Sequence, residues 1–133
     1  MTKEELKQYR SIRHEIQSIK DEINELENQI QSVRAVTISD MPKGGSHTDF
    51  TDVIAKIDEL KRALHIKMSQ AVIFLGRIEV TIEHLAPIYR TLLRHRYING
   101  YTWECISELL GYTDDKWVRT ELHSRALTAI KDL

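Results

Sequence analysis

The chain of 133 residues carries 19 lysines and arginines against 20 aspartates and glutamates, so its formal net charge is −1. Its composition, 41% hydrophobic and 29% charged, is typical of a folded protein of one domain or two small ones. The single cysteine, Cys105, excludes an intramolecular disulfide. No apolar run approaches the roughly 20 residues of a membrane span, and no apolar segment follows the first residues as in a secretory signal. We therefore expect a cytoplasmic protein without a membrane partner.

The first segment has the pattern of a long amphipathic helix. Thr2 and Glu5 have the spacing of a capping box, and we predict a helix from Lys3 to Ala35, roughly 50 Å long. Its apolar residues alternate at spacings of three and four, which is the heptad pattern of a coiled coil. They are Tyr9, Ile12, Ile16, Ile19, Ile23, Leu26, Ile30 and Val33.

A second helix of similar length follows a loop predicted over about 36–50, where Pro42, Gly44 and Gly45 cluster. It is predicted to span 52–85. Its apolar seam comprises Val53, Ile57, Leu60, Leu64, Met68, Ala71, Leu75, Ile78, Ile82 and Leu85. Two matched helices joined by such a loop predict an antiparallel helical hairpin. The alternative is that each apolar stripe pairs with another subunit.

The second helix carries another apolar stripe on a different side. Ile66, Ile73 and Val80 recur every seven residues, with Gly76 between the last two. At 100° per residue, Ile73 lies about 160° from the main seam. Because the first helix can cover only one of these sides, we expect this stripe to meet either the C-terminal domain or a second subunit.

The last 47 residues have the pattern of a helix-turn-helix. Pro87 suits the start of a helix that ends at Asn99-Gly100, and Thr102 is predicted to cap a short helix to Leu110. The expected buried side of that short helix is Trp103, Ile106, Leu109 and Leu110. Gly111 then closes it, and Thr113, Asp114 or Asp115 caps a final helix that runs to Leu133. A short helix, a tight glycine turn and a second helix are the elements of the motif.

The final helix divides by angle into a core side and an outward side. The predicted core side is Val118, Leu122, Ala126, Ala129 and Leu133, with Trp117 also assigned to the core. The outward side comprises Lys116, Thr120, His123 and Ser124, flanked by Arg119, and these residue types can bind base edges or phosphates. Arg90 and Arg94 are further candidates for phosphate contacts. The alternative for all of them is an ordinary solvated surface. Arg125 lies near the core stripe and is expected to snorkel or pair.

The segment from Arg94-His95-Arg96-Tyr97 through Gly100 and Thr102 to Gly111-Tyr112-Thr113 resembles region 4 of bacterial sigma factors. Arg125-Ala126-Leu127 is similar to the tripeptide that closes that region. The layout of long helices, a Met41-Pro42-Lys43-Gly44-Gly45 loop and a region-4-like end is similar to small phage regulators of the ArpU and RinA type. The resemblance implies binding to promoter DNA, contact with RNA polymerase and activation of late genes.

Two features depart from the sigma pattern. Cys105 and Ser107 replace the usual Glu and Ala, although both are small enough for a packed site. The stretch from Thr113 to Arg125 is about two residues longer, with Asp114 and Asp115 at the entry to the final helix. Carboxylates favour a helix N-terminus but repel phosphates, so these two residues either cap the helix away from DNA or weaken the binding.

The sequence thus predicts an all-α protein with a helical hairpin over 1–86 and a region-4-like helix-turn-helix domain over 87–133. We expect a non-catalytic DNA-binding regulator that forms a homo-oligomer, without cofactor or metal, because the six histidines show no ligand spacing and Cys105 has no histidine nearby. The main alternative is an adaptor that binds RNA polymerase or another phage protein without reading DNA. A coiled-coil structural or packaging component is a third possibility. The net charge divides into −2 over 1–86 (12 basic, 14 acidic) and +1 over 87–133 (7 basic, 6 acidic).

Overall fold

A computed structural model describes residues 1–40 and 50–133, with side chains over 1–35 and 50–133. All regular secondary structure in these ranges is helical, which confirms the predicted all-α class. Two long helices pack against each other as a hairpin, and shorter helices follow. No helix in the described ranges has both the length and the apolar character that crossing a membrane requires.

Helix α1 spans Lys3–Asp40. Its start is the predicted capping box: the Thr2 backbone N–H donates to Glu5 Oε2 at 2.8 Å, and the Glu5 N–H donates to Thr2 Oγ1 at 3.3 Å. The predicted end at Ala35 is wrong, because residues 36–40 continue the helix. These residues include no Pro or Gly, and the helix-breaking residues come only afterwards. The rest of the predicted loop, 41–49, lies outside the described residues.

Helix α2 spans Thr51–Glu83, close to the predicted bounds. The chain forms two compact units. In the unit His14–Ser69, α1 and α2 lie antiparallel. Glu27 pairs with Lys61 at 3.3 Å, and Glu15 pairs with Lys67 at 2.7 Å. Higher residue numbers in α2 therefore lie beside lower residue numbers in α1, as in an antiparallel pair. The buried cluster of this unit contains Ile23, Ile30, Ile57 and Leu60. The two apolar stripes therefore pair within one chain, as the hairpin prediction required.

The second unit joins Met1–Arg13 to Gln70–Leu133, so it combines the outer ends of the hairpin helices with the C-terminal helices. This division differs from the predicted boundary at Pro87. The reason is a shared core: Leu6 of α1 and Ile78 and Ile82 of α2 are fully buried together with residues of the C-terminal helices. The other buried members are Tyr9, Leu85, Leu92, Leu93, Tyr97, Ile106, Val118, Leu122, Ala126 and Ile130.

The C-terminal helices begin with α3, Pro87–Leu93, which continues as a π-helical turn, Arg94–Ile98. Helix α4 is Trp103–Leu110. Helix α5, Asp115–Trp117, continues through a second π-helical turn, Val118–Leu122, into α6, His123–Lys131. The last three segments form one uninterrupted helix, here called the C-terminal helix.

Local capping explains the bounds of α4. Thr102 Oγ1 accepts the Cys105 N–H at 3.2 Å, as predicted. Gly111 ends the helix with φ +85°, in the left-handed region that side chains disfavour. The Tyr112 N–H then returns to the Ser107 carbonyl at 2.8 Å. These contacts set the tight turn between α4 and the C-terminal helix.

Met68 of the predicted α2 seam is exposed, and so are three predicted core residues of the C-terminal segment. Leu109 is 58% exposed, because α4 buries Trp103, Ile106, Ser107 and Leu110, and Leu109 falls about 110° from the centre of that side. Leu133 lies beyond the end of α6 and is also exposed. Trp117 packs on Tyr112, with 5.1 Å between ring centroids, and leaves 39% of its surface in solvent.

Gly111→Ala is expected to lower the free energy of unfolding by roughly 1–2 kcal/mol, because alanine would have to adopt the left-handed conformation. No side chain crowds the position, so backbone strain is the only cost. Gly111→Asn is the matched control and should lose less, since asparagine tolerates this conformation better. Chemical denaturation of the three proteins measures the difference. Equal stability of wild type and the alanine variant would contradict the backbone argument.

Candidate nucleic-acid interface

The outward face of the C-terminal helix carries four of its predicted DNA-contact residues in solvent. These residues are Lys116, Arg119, Thr120 and Ser124. The helix is fixed from behind because Val118, Leu122 and Ala126 are buried in the core. At its start, Asp114 Oδ1 accepts the Lys116 N–H at 3.0 Å, so Asp114 is the cap among the three candidates.

The hydroxyl on this face is already oriented by the helix. Thr120 Oγ1 donates to the Lys116 carbonyl at 2.6 Å, so its proton is used and its oxygen remains an acceptor. Lys116 and Arg119 supply donors for base edges or phosphates. Arg125 is excluded from this role because it pairs with Glu121 at 3.0 Å, as its position predicted.

The fifth predicted residue of this face, His123, is buried instead, with 8% exposure. Its Nε2 lies 2.7 Å from Tyr97 Oη, and its ring packs edge-on against Trp103 at 4.8 Å between centroids. The prediction assumed an uninterrupted α-helix. The π-helical turn Val118–Leu122 turns less per residue, so the positions after it are rotated, and His123 comes to face the core.

The environment of His123 keeps its ring neutral at pH 7. Burial and, to a lesser extent, the positive charges of Lys3, Arg96 and Lys7 together lower the pKa of His123 to about 4, although the Arg119 backbone acts in the opposite direction. Burial likewise raises the pKa of Tyr97, so its hydroxyl stays protonated. The pair therefore forms a neutral, buried hydrogen bond that joins the C-terminal helix to the π-helical turn Arg94–Ile98.

Arg90 and Arg94, the other predicted phosphate ligands, are paired with carboxylates of α2. Arg90 Nη1 lies 3.1 Å from Glu83 Oε1, and Arg94 Nη1 lies 3.0 Å from Glu79 Oε1. The carboxylates of Glu83 and Glu79 therefore compensate the charges of the two arginines. A contact with phosphate would have to compete with these pairs.

A basic groove lies beside the outward face, and sequence reasoning missed most of it. Lys3, Lys7 and Arg10 of α1 line it together with Arg96 and Arg119, and we call these five residues the basic groove. Tyr97, Trp103 and His123 complete the lining of a cavity of about 320 Å³. The available signal was the spacing of i, i+4 and i+7 on α1, which places three cations on one side of the helix.

Arg96 is the most constrained cation of the groove. Its guanidinium carbon stands 4.4 Å from the centre of the Trp103 ring, and Nη1 donates to the Tyr101 carbonyl at 3.1 Å. Burial and the nearby charge of Arg10 lower the pKa of Arg96. A second cavity, of about 430 Å³, adjoins the C-terminal helix and is lined by Thr2, Lys3 and residues of that helix from Arg119 to Lys131.

The second apolar stripe of α2 is exposed among the residues that the structure describes. In the unit that contains the C-terminal helices, Ile73 is 66% exposed and Val80 is 67% exposed, and Gly76 has no neighbouring atom where a Cβ would lie. These residues line an open cavity with Met1, Arg77 and Thr81. In the other unit Ile66 is exposed as well. Ile73 and Val80 are thus not covered by the C-terminal helices of their own unit, and the second predicted partner, another subunit, stays a prediction.

Among the described residues, no three or more His, Cys, Asp or Glu side chains gather as a metal would require. Cys105 is half-buried and unbridged in α4. Comparison of the chain with protein-family models, with curated proteins and with solved structures finds no match.

The His123–Tyr97 pair predicts a loss of stability in acid. His123 has a pKa of about 4 when folded and 6.5 ordinarily, so its contribution is complete above pH 6.5 and falls as the pH drops to 4, because the unfolded chain takes up the proton first. The loss should approach about 3 kcal/mol. Denaturant unfolding across this pH range measures it.

The control for this measurement is Tyr97→Phe/His123→Phe, which removes both polar groups and leaves no hydroxyl without a partner. The other five histidines are unchanged, so the difference between the two pH profiles isolates His123. Identical pH profiles would show that His123 is not buried in its neutral form.

Proposed function

We propose that this protein is a non-catalytic transcription regulator that binds double-stranded promoter DNA through its C-terminal helix-turn-helix. The observation that carries the proposal is the exposed row of Lys116, Arg119, Thr120 and Ser124, held outward by a buried opposite face directly after a tight helix-turn-helix turn. In proteins with this motif the second helix enters the major groove. The resemblance to sigma region 4 and to ArpU- and RinA-type regulators supports activation of phage late genes in the host cytoplasm, with RNA polymerase as a further partner.

The two aspartates at the helix entry fit this proposal in different ways. Asp114 is engaged as the cap of the C-terminal helix, so its carboxylate is oriented toward the helix backbone. Asp115 is half-buried in the first turn. Groove contacts would then begin at Lys116 and continue one turn later at Thr120.

The adaptor alternative has an observation of its own. Leu109, Tyr112 and Trp117 are exposed around the turn between α4 and the C-terminal helix. Exposed apolar and aromatic side chains of this kind are enriched in protein interfaces. Under this alternative the same domain binds RNA polymerase or another phage protein through these residues and does not read DNA.

We also propose that the protein acts as a homo-oligomer, with Ile73, Gly76 and Val80 at the contact between subunits. Paired modules double the contacts with DNA and match two half-sites. The two exposed branched side chains flank a glycine that would let a second helix approach closely.

Lys116→Ala should weaken binding of late-promoter DNA and reduce the slope of log affinity against log salt by about 1, because one phosphate or base contact is lost. Arg90→Ala should have a much smaller effect, since Arg90 is paired with Glu83. Lys56→Ala removes an exposed lysine from the unit His14–Ser69 and is the matched control. Fluorescence titration with labelled duplex at several salt concentrations measures all four proteins.

Two outcomes would contradict this assignment. If wild type fails to bind the promoter duplex at low salt and yet binds RNA polymerase, the adaptor alternative replaces DNA binding. If Arg90→Ala loses as much affinity as Lys116→Ala, Arg90 contacts phosphate as the sequence predicted, and its ion pair with Glu83 does not prevent that contact.

Ile73→Asp should convert the oligomer to a monomer, because burying a carboxylate at the contact is costly. Ile54→Asp is the matched control, since Ile54 is also exposed on α2 but lies outside the stripe. Light scattering gives the mass, and circular dichroism checks that both variants remain helical. An unchanged mass for Ile73→Asp would rule out this contact.

A further inference from the structure

Nine of the twelve lysines and arginines in the unit that contains the C-terminal helices fall into two groups. Four arginines have a carboxylate within 3.1 Å: Arg77 with Glu5, Arg90 with Glu83, Arg94 with Glu79 and Arg125 with Glu121. The five cations of the basic groove make no such pair among the described residues. Arg13, Lys116 and Lys131 also have no ion pair among the described residues, but five of the unit's eight unpaired lysines and arginines line this single groove.

Gathering five like charges around about 320 Å³ is electrostatically unfavourable. Glu4 of α1 brings negative charge near Tyr97, but none of the described residues lining the groove is acidic. Burial lowers the pKa of Arg96, and the neighbouring charge of Arg10 lowers it in the same direction, as repulsion between two guanidiniums would. A bound anion would relieve this repulsion, and the planar guanidiniums of Arg10, Arg96 and Arg119 suit the oxygens of a phosphate.

The groove is also prepared for a ligand. The guanidinium of Arg96 stands over the Trp103 ring and donates one N–H to the Tyr101 carbonyl, and these two contacts restrict the orientation of its remaining donors. The core anchors Leu6 and Tyr9 of α1 and thereby fixes the turn that carries Lys7 and Arg10. Preorganised donors lose little conformational entropy on binding.

Arg119 lies both in the groove and on the outward face of the C-terminal helix. A duplex seated on that face would bring its sugar-phosphate backbone alongside the groove. We propose that the basic groove binds adjacent backbone phosphates of the same DNA, so that the first turns of α1 form a second DNA-contact element beside the helix-turn-helix. This assignment rests on the proposed DNA-binding function.

The test compares Lys7→Gln/Arg10→Gln with wild type and with Lys20→Gln/Arg62→Gln. The control loses the same charge from exposed positions of the unit His14–Ser69. Glutamine keeps part of each side chain and the helix propensity, and thermal unfolding checks that all three proteins fold. In the duplex titration, the groove variant should bind roughly tenfold or more weakly and lose about 2 from the salt slope, whereas the control keeps both values.

The outcomes separate this inference from the function on which it rests. If wild type binds with a steep slope and the groove variant keeps affinity and slope, the groove is not a DNA contact and the proposed function stands. If wild type binds no duplex but inorganic pyrophosphate raises its unfolding temperature and not that of the groove variant, the site serves a free phosphate-bearing molecule. If neither ligand binds, both proposals fail.

Discussion

The packing of the first turns of α1 into the core of the C-terminal helices is the constraint on which the functional part of the protein depends. Leu6 and Tyr9 are buried with Ile78 and Ile82 of α2 and with Tyr97, Val118 and Leu122. Arg13 adds a polar tie by donating from Nη1 to the Ile98 carbonyl. Without these side chains the helix-turn-helix would expose its back, and three cations of the basic groove would have no fixed position. The hairpin ends are therefore part of the DNA-binding unit that we propose, rather than a tether for it.

Local signals in the sequence predicted most of the fold. Apolar spacing in α1 and α2, the Thr2–Glu5 capping box, Thr102 and Gly111 each act within one or two turns, and each was found where expected. The helix end at Asp40 was missed because weak helix formers were taken for the start of the loop. Leu6 was missed because it precedes the first residue assigned to the heptad stripe, and its partners lie more than 70 residues away.

The candidate site was less predictable, for a reason that His123 makes plain. Assigning residues to a side of a helix by angle requires a constant rotation per residue. The π-helical turn Val118–Leu122 does not have the rotation of an α-helix, and it lies within the outward face of the C-terminal helix. Lys116, Arg119 and Thr120 precede or lie within the turn and remain exposed, whereas His123 follows it and is buried. Long-range pairing was equally invisible, so the sequence could not distinguish Arg94, which Glu79 neutralises, from Arg96, which no carboxylate meets among the described residues.

The net charge of −1 conceals a sorting of charges. Carboxylates of α2 form ion pairs with Arg90 and Arg94, and the carboxylate of Glu5 forms an ion pair with Arg77. Lys3, Lys7 and Arg10 of α1, which line the basic groove, have no ion pair among the described residues. Exposed ion pairs add little stability, so the main consequence of this pairing is electrostatic: among the described residues, five of the eight unpaired lysines and arginines in the unit that contains the C-terminal helices line the basic groove. Under the proposed function, this nearly neutral chain would meet DNA with the unpaired positive charge of that unit gathered mainly in the groove and at Lys116 of the outward face. Such binding would gain from a second subunit on the same duplex.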